Sequence, residues 1–248
     1  MKKLVITGGN PNGENTTKGY RKEPRKSRIG RAQYQHWEAY LASAYSHSKE
    51  GTVCTAPHFE VNYGAFTDTQ LHLIFPMAYS HPHELDADYR LGDIELGAKY
   101  RFVHESDTMP QVGTFPIVIL PTGNSEKGLG EGRIRVFLPV WFQKSWGPWT
   151  TYGGGGYWYH PGPDNKNYWF GGWELQREIS KALTLGAEIF GNTRPSEDEG
   201  GSYGFNIGAI INLSEEYHIL LSAGRDIHGP NDFTAYAAFQ WTFGPKEK

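Results

Sequence analysis

The sequence predicts an all-β fold: a transmembrane antiparallel up-and-down β-barrel of about 12 strands. Three features indicate it. Apolar and polar residues alternate within successive segments, long and short connections alternate between those segments, and the last segment ends on aromatic residues. No amphipathic helix pattern separates the segments, so each strand is expected to pair with the next one along the chain.

The alternation is clearest in "DIELGAKYRF", where every second residue from Ile94 to Phe102 is apolar and Glu95 and Lys99 lie on the other face. In a transmembrane barrel the apolar face contacts lipid and the polar face lines the interior. The segments are predicted at about residues 34–47, 53–64, 68–79, 91–103, 110–121, 132–144, 148–160, 167–179, 183–193, 203–213, 217–226 and 232–243. The residues expected to face lipid are Ile94, Leu96, Ile134, Val136, Leu138, Ile207, Phe239 and Trp241.

The connections between segments differ in length and polarity. "AFTD", "SWGP", "ISKA" and "LSEE" are short, whereas "SHPHELDADYR", "PTGNSEKGLGEG", "HPGPDNKN" and "NTRPSEDEGG" are longer and polar. Outer-membrane barrels have short periplasmic turns and longer extracellular loops. We therefore predict one barrel over residues 33–244 in a bacterial outer membrane, with an atypical or disordered segment before it (residues 1–32) and a tail after it (residues 245–248). The apolar run after Lys2 and Lys3 is too short for a signal peptide.

The stretch "YGGGGYW" places Gly153 to Gly156 between residues with strong β-propensity. Inside a barrel strand, glycines allow a sharp bend and leave room for bulky neighbours. A curvature device within a strand is therefore the preferred interpretation, and a flexible loop that splits the segment is the alternative.

Several stretches resemble one bacterial outer-membrane family, labelled "MetA-pathway of phenol degradation". They are "GDIELGAKYRF", "PQVGTFPIVILPTGN", "GLGEG", "FLPVWFQKSWGPWTTYGGGGYW" and "LSAGRDIHGPN", within about residues 34–243. The resemblance implies a transmembrane barrel of Gram-negative bacteria and the passage of small hydrophobic or aromatic molecules. It implies no catalytic residues.

Composition narrows the chemistry further. The net charge of −3 gives no reason to expect nucleic acid as a partner. Cys54 is the only cysteine, which excludes an intrachain disulfide and a cysteine-built metal site. No histidine has a serine at a spacing diagnostic of a hydrolase, so we expect no enzyme. The loop with His81, His83 and Glu84 could hold a metal, but such loops are usually solvated, so neither metal nor cofactor is expected.

The alternation places charged and imidazole side chains in the lumen. These lumen candidates are Glu38, His58, Glu60, His72, Glu95, Lys99, Arg101, Arg133, Arg135, Glu174 and Glu188. Unpaired charges in a narrow interior are costly, so at least one cross-strand Arg–Glu network is expected to constrict the lumen. The expected function is a passive channel for small hydrophobic or aromatic molecules, with membrane lipid as the surrounding partner. The alternatives are a plugged structural or interaction barrel and, less favoured, a lipid-active enzyme of the outer membrane.

Overall fold

The structure is a computed structural model that describes residues 34–82, 86–230 and 233–245. The strands are β1 (Trp37–Ser48), β2 (Gly51–Phe66), β3 (Thr69–Pro82), β4 (Asp88–Leu91), β5 (Ile94–Val103), β6 (Gln111–Thr114), β7 (Ile117–Leu120), β8 (Arg135–Trp146), β9 (Trp149–Tyr159), β10 (Tyr168–Ser180), β11 (Leu183–Asn192), β12 (Ser202–Asn212), β13 (Tyr217–His228) and β14 (Phe233–Phe243). The predicted N-terminal segment 1–32 lies outside the described residues.

The sheet closes on itself. β1 pairs with β2 on one side and with β14 on the other, and every pairing is antiparallel. β4 and β5 both pair with β3, and β6 and β7 both pair with β8, so each of these pairs is one interrupted strand of the wall. The described residues therefore form a closed antiparallel barrel of 12 wall strands. The prediction of the fold class is confirmed, and each predicted segment falls on one wall strand.

The two ends of the barrel differ. Trp37 and Phe243, the first and last strand residues, pair with each other at the end that carries the short connections, here called the turn end. The longer connections lie at the opposite end, here called the loop end. The alternation of lengths is not strict, because a tight turn joins β1 to β2 at the loop end and residues 104–110 join β5 to β6 at the turn end.

Exposure alternates along the strands, as the apolar–polar pattern predicts. On β8, Leu138 is 56% exposed and Val140 is 54% exposed, whereas Phe137 and Trp141 are 5% and 6% exposed. Ile94 and Val136 are half-buried and Ile134 precedes β8, yet the remaining residues expected to face lipid are all well exposed. The described residues contain no helix long and apolar enough to cross a membrane.

The four glycines lie within β9, so the loop interpretation of "YGGGGYW" is wrong. Gly154 and Gly156 pair with Trp141 and Pro139, whose side chains are on the buried face of β8. A Cβ on Gly156 would lie 2.5 Å from Pro139 Cα, and a Cβ on Gly154 would lie 2.8 Å from Trp141 Cε3. The glycines therefore let the backbone lie directly against bulky inward side chains of the neighbouring strand.

Candidate functional site in the barrel interior

One wall of the interior is aromatic. Its cluster consists of buried Phe137, Trp141, Phe170 and Phe190, packed against partly buried Phe115, Ile117, Tyr152, Trp158 and Tyr168. Phe137 stacks on Trp158 with ring centres 4.7 Å apart, and Trp141 stacks on Tyr152 at 5.4 Å. This wall offers ring faces and edges to the interior, where a planar apolar solute could stack.

The facing wall is polar and is centred on His72 of β3. His72 Nδ1 lies 2.7 Å from Asn62 Oδ1, and His72 Nε2 lies 3.1 Å from Glu95 Oε1. Glu60 Oε1 is 3.6 Å from His72 Nδ1 and accepts a hydrogen bond from Asn62 at 2.9 Å. The network joins three adjacent wall strands through one side chain.

Phe115 stands where the polar and aromatic walls meet. The edge of its ring faces His72 at a centroid distance of 5.1 Å, and Lys99 Nζ lies 5.1 Å from its ring centre. A Cβ on Gly97 would lie 2.6 Å from Phe115 Cε2, so the glycine on β5 leaves the space that the ring fills. Phe115 therefore contacts both chemical environments of the interior.

The turn end of the interior carries an ion pair and a small cavity. Arg101 Nε donates to Asp68 Oδ1 at 2.9 Å, and Arg101 Nη1 donates to Gln111 Oε1 at 3.2 Å. The cavity measures about 40 Å³ and is lined in part by Lys99, Arg101, Trp141 and Gln111. Like the polar and aromatic walls of the interior, the cavity has cations, Lys99 and Arg101, on one side and an aromatic ring, Trp141, on the other.

Glu174 and Glu188 are directly opposite each other on β10 and β11, and each is 2% exposed. Gln176 donates to Glu174, and Asn206 donates to Glu188 Oε2 at 3.3 Å. Among the described residues, no cation lies within ion-pair distance of either carboxyl group. They were candidates for the expected Arg–Glu network, but the structure places them at directly opposite positions of neighbouring strands and away from the described arginines.

The arginines find other partners at the two ends of the barrel. Arg135 Nη1 lies 3.4 Å from Glu131 Oε1, and Arg135 Nη2 lies 3.8 Å from Asp93 Oδ2. Arg133 is exposed and lies before the start of β8, so its predicted place on a lumen-facing strand was wrong. Among the described residues, the expected cross-strand Arg–Glu network is not formed as predicted. Arg101 pairs with Asp68 of a turn, Arg135 pairs with Asp93 and Glu131 of two connections, and the acids joined across the strands are those of the His72 network.

The other lumen candidates are distributed along the polar wall. Glu38 accepts hydrogen bonds from Tyr40 at 3.1 Å and from Gln70 at 3.3 Å. His58 is 3% exposed and its Nδ1 lies 3.2 Å from Thr55 Oγ1, across a bulge in β2. Asp68 and Asp93, the partners of Arg101 and Arg135, were not among the predicted lumen residues, because the alternation alone does not single them out.

The interior is filled along one side and partly open along another. Leu220, His218 and Gln240 are at most 2% exposed, so side chains occupy the space next to β13 and β14. Glu95, Lys99, Phe115, Ile117, Tyr152 and Trp158 are each partly exposed. The water-accessible part of the described interior thus runs between the polar and the aromatic walls.

Glu131 predicts a pH effect outside the membrane-spanning strands. The contact with His160, whose Nε2 lies 3.7 Å from Glu131 Oε2, and the charge of Arg135 outweigh burial and lower the pKa of Glu131 to about 2. A lowered pKa stabilises the fold above the ordinary value of 4.5, and that stability is lost as the pH falls toward 2. Because Glu131 is 43% exposed, screening limits the effect to about 1 kcal/mol.

We therefore expect wild-type protein to lose unfolding free energy between pH 4.5 and 2, and Glu131→Gln to lose about 1 kcal/mol less over the same range. Urea unfolding of both proteins at several pH values measures this difference in unfolding free energy. Glu126→Gln, at an exposed acid of the same loop, is the control. Parallel pH curves for wild type and Glu131→Gln would contradict the prediction.

Comparisons with known proteins identify the fold. An outer membrane channel from Pseudomonas putida F1 superposes with a TM-score of 0.66 at 16% identity, covering 85% of this chain and 96% of the channel. The KdgM porin, solved in complex with disordered oligogalacturonate, gives a TM-score of 0.58 at 6% identity, with 83% and 99% coverage. The translocator domain of the autotransporter NalP from Neisseria meningitidis gives 0.57 at 10% identity, with 84% and 89% coverage.

These structures show that the chain has the fold of outer-membrane β-barrels. Neither a protein-family model nor a curated protein sequence matches the chain. The resemblance to the MetA-pathway family therefore stays a prediction. Among the described residues, no group of three or more histidine, cysteine, aspartate or glutamate side chains is placed to hold a metal ion. His83 and Glu84 of the loop considered for a metal lie outside the described residues.

Proposed function

We propose that the chain is a non-enzymatic channel of the bacterial outer membrane that passes small molecules with an apolar or aromatic body. The observation that carries the proposal is the partly exposed seam between the aromatic cluster and the His72 network. A solute in this seam could stack on Phe115 while its polar group meets Glu95 or Lys99. The channel and porin structures that share the fold support a transport role.

The narrowness of the seam also argues for small solutes. A general porin has a wide aqueous lumen whose wall residues stay hydrated. Here Trp141 and Phe137 are 6% and 5% exposed, although both lie on the inward face of β8. The proposed passage is therefore lined by side chains in mutual contact, and it should favour compact, partly apolar molecules over ions and oligosaccharides.

Swelling of liposomes that contain the refolded protein tests the proposal. We expect phenylalanine to enter faster than glucose, a polar solute of comparable size. Replacing Phe115 by Ala should reduce the ratio of phenylalanine to glucose rates, because the ring at the junction of the two walls is lost. Phe239→Ala, on the lipid-facing side of β14, is the matched control and should leave the ratio unchanged.

A plugged barrel is the second candidate, and the burial of His218, Leu220 and Gln240 at 1–2% exposure favours it. In that case the barrel would act as a scaffold for its loops. Correctly refolded, heat-modifiable protein that admits no solute, phenylalanine included, would reject the channel and favour the scaffold.

A further inference from the structure

The loop between β7 and β8, residues 121–134 and here called the inward loop, folds into the mouth of the barrel. Leu129 within it is only 4% exposed. A Cβ on Gly92 would lie 3.0 Å from Ala78 Cβ, on the buried face of β3, and 3.4 Å from the carbonyl oxygen of Leu129. Leu129 therefore lies on the interior side of the wall.

Asp93 holds this loop at two points. Its Oδ1 accepts a hydrogen bond from Gly123 N at 3.0 Å, and its Oδ2 accepts one from Glu131 N at 2.9 Å. The side chain is 8% exposed. Because the two donors are on either side of Leu129, one carboxylate fixes both arms of the loop.

The loop sequence is adapted to this close approach. A Cβ on Gly130 would lie 2.2 Å from Asp93 Oδ1, and a Cβ on Gly123 would lie 2.2 Å from the carbonyl oxygen of Leu129. Thr122 adds a second attachment, because its hydroxyl donates to Gly92 O at 2.7 Å and accepts from Ile94 N at 2.9 Å. Gly123 of "PTGN" and Gly130 of "GLGEG" are therefore explained by the packing of the loop on Asp93.

An interruption in the wall points Asp93 inward. The buried residues Ala78 and Ser80 pair with even-numbered Arg90 and Asp88 of β4. The buried residues His72 and Ile74 pair with odd-numbered Gly97 and Glu95 of β5. The inward face thus changes from even to odd positions between β4 and β5, so Gly92 and Asp93 both face the interior. Gly92 provides space for the inward loop, and Asp93 provides the carboxylate that accepts hydrogen bonds from its backbone.

We propose that the inward loop is a size-selecting constriction at the loop end and that Asp93 is its positioning residue. Held by Asp93, the side chain of Leu129 and the backbone around it narrow the entrance to the seam between the polar and aromatic walls. This inference rests on the proposed channel function, because a constriction matters only where solutes pass. It assigns entry selection to the inward loop and stacking selection to the aromatic wall.

The experiment compares Asp93→Ala with wild type in the refolded full-length protein, with two independent readouts. Trypsin cleavage after Lys127 and Arg133, both in the inward loop, reports whether the loop is held. Single-channel conductance and swelling in glucose and sucrose report the width of the entrance. We expect cleavage at least tenfold faster in Asp93→Ala, together with higher conductance and measurable sucrose entry.

Two further variants make the test specific. Glu197→Ala removes another loop-end acid, which pairs with Lys166 rather than with the inward loop, and should behave as wild type. Leu129→Ala shortens the constriction without removing the carboxylate, so it should raise conductance with unchanged cleavage. If Asp93→Ala fails to give the heat-modifiable folded band, the conductance of Leu129→Ala still tests the constriction.

The outcomes separate this inference from the channel proposal. Equal cleavage of wild type and Asp93→Ala would overturn the role of Asp93. Faster cleavage with no change in conductance or solute size limit would overturn the constriction. A wild type closed to every solute with an open Asp93→Ala variant would support the constriction and reject the open wild-type channel.

Discussion

Gly154→Ala is expected to lower the free energy of unfolding by about 2–5 kcal/mol, because overpacking and backbone strain add at this position. The new Cβ would lie 2.2 Å from Val140 O and 2.8 Å from Trp141 Cε3. The Val140 carbonyl belongs to the strand backbone, which cannot yield without disturbing the pairing of β8 with β9. Gly154 also has φ of 149°, a conformation that residues with a side chain rarely adopt.

Gly147→Ala separates the two causes. Gly147 also has a positive φ, 55°, but nothing lies within 4 Å of its added Cβ. Its cost should be about 1–2 kcal/mol, from the left-handed backbone alone. Guanidinium unfolding in lipid vesicles, followed by tryptophan fluorescence, measures both variants. Equal losses for the two would show that the contact with Trp141 adds nothing and that the interior packing of β9 has been misjudged.

The tetraglycine stretch also shows how far the sequence could be interpreted. The flanking residues predict that Gly153 to Gly156 continue a strand, because aromatic and β-branched residues on both sides share its alternation. Glycine has no side chain, so the alternation cannot show that Gly154 and Gly156 face Trp141 and Pro139. That information lies in the pairing of β8 with β9, which depends on register between strands and not on either segment alone.

Because contacts between strands are not encoded in a single segment, the partners of the charged residues also could not be predicted. Alternation placed Glu95, Lys99 and Arg101 on the inward face of one strand, which needs only the two-residue period of that strand. The alternation does not show which side chains these residues contact, because the contacts depend on the neighbouring strands and turns. Asp68, the partner of Arg101, lies in the turn before β3, where the two-residue period does not tell which way a side chain points.

Asp93 was missed for a different reason. It begins "DIELGAKYRF" and shares the inward parity of Glu95, but its partners belong to a loop about 30–40 residues later in the chain. A signal was present in the clustered glycines of "PTGN" and "GLGEG", which allow close backbone approach. Sequence alone gave no means of telling what the loop approaches, because loop conformations have no periodicity to interpret.

The aromatic and the polar parts of the interior have different roles. The aromatic cluster and its glycines give the barrel a rigid wall, since ring contacts and close backbone packing leave little freedom. The His72 network and the ion pairs at both ends satisfy charges that could not otherwise lie in a narrow lumen. A mutation of a fully buried ring or of a glycine in the first group should mainly change stability. A mutation of Phe115, which touches both walls, or of the charged second group should mainly change what passes.

The outer surface gives the second large effect. If Leu138 lies near the bilayer midplane, Leu138→Arg is expected to lower the free energy of unfolding in lipid by about 2–4 kcal/mol, because the arginine then faces hydrocarbon. Leu138 is 56% exposed and lies between Tyr159, close to the loop end, and Trp146, at the turn end, both exposed aromatics of the kind found at the interfaces. Arg135 is tolerated three residues earlier because its side chain points inward to Asp93 and Glu131.

Ile134→Arg is the matched control, because Ile134 is 50% exposed and precedes the strand at the loop end. The cost of a charge falls to about 0–1 kcal/mol near an interface. Urea unfolding of both variants in the same phospholipid vesicles measures the difference, and repeating it in a thinner bilayer should reduce the cost at Leu138. If both arginines cost the same, the apolar band is not centred near Leu138 and the placement of β8 across the membrane must be shifted along its axis.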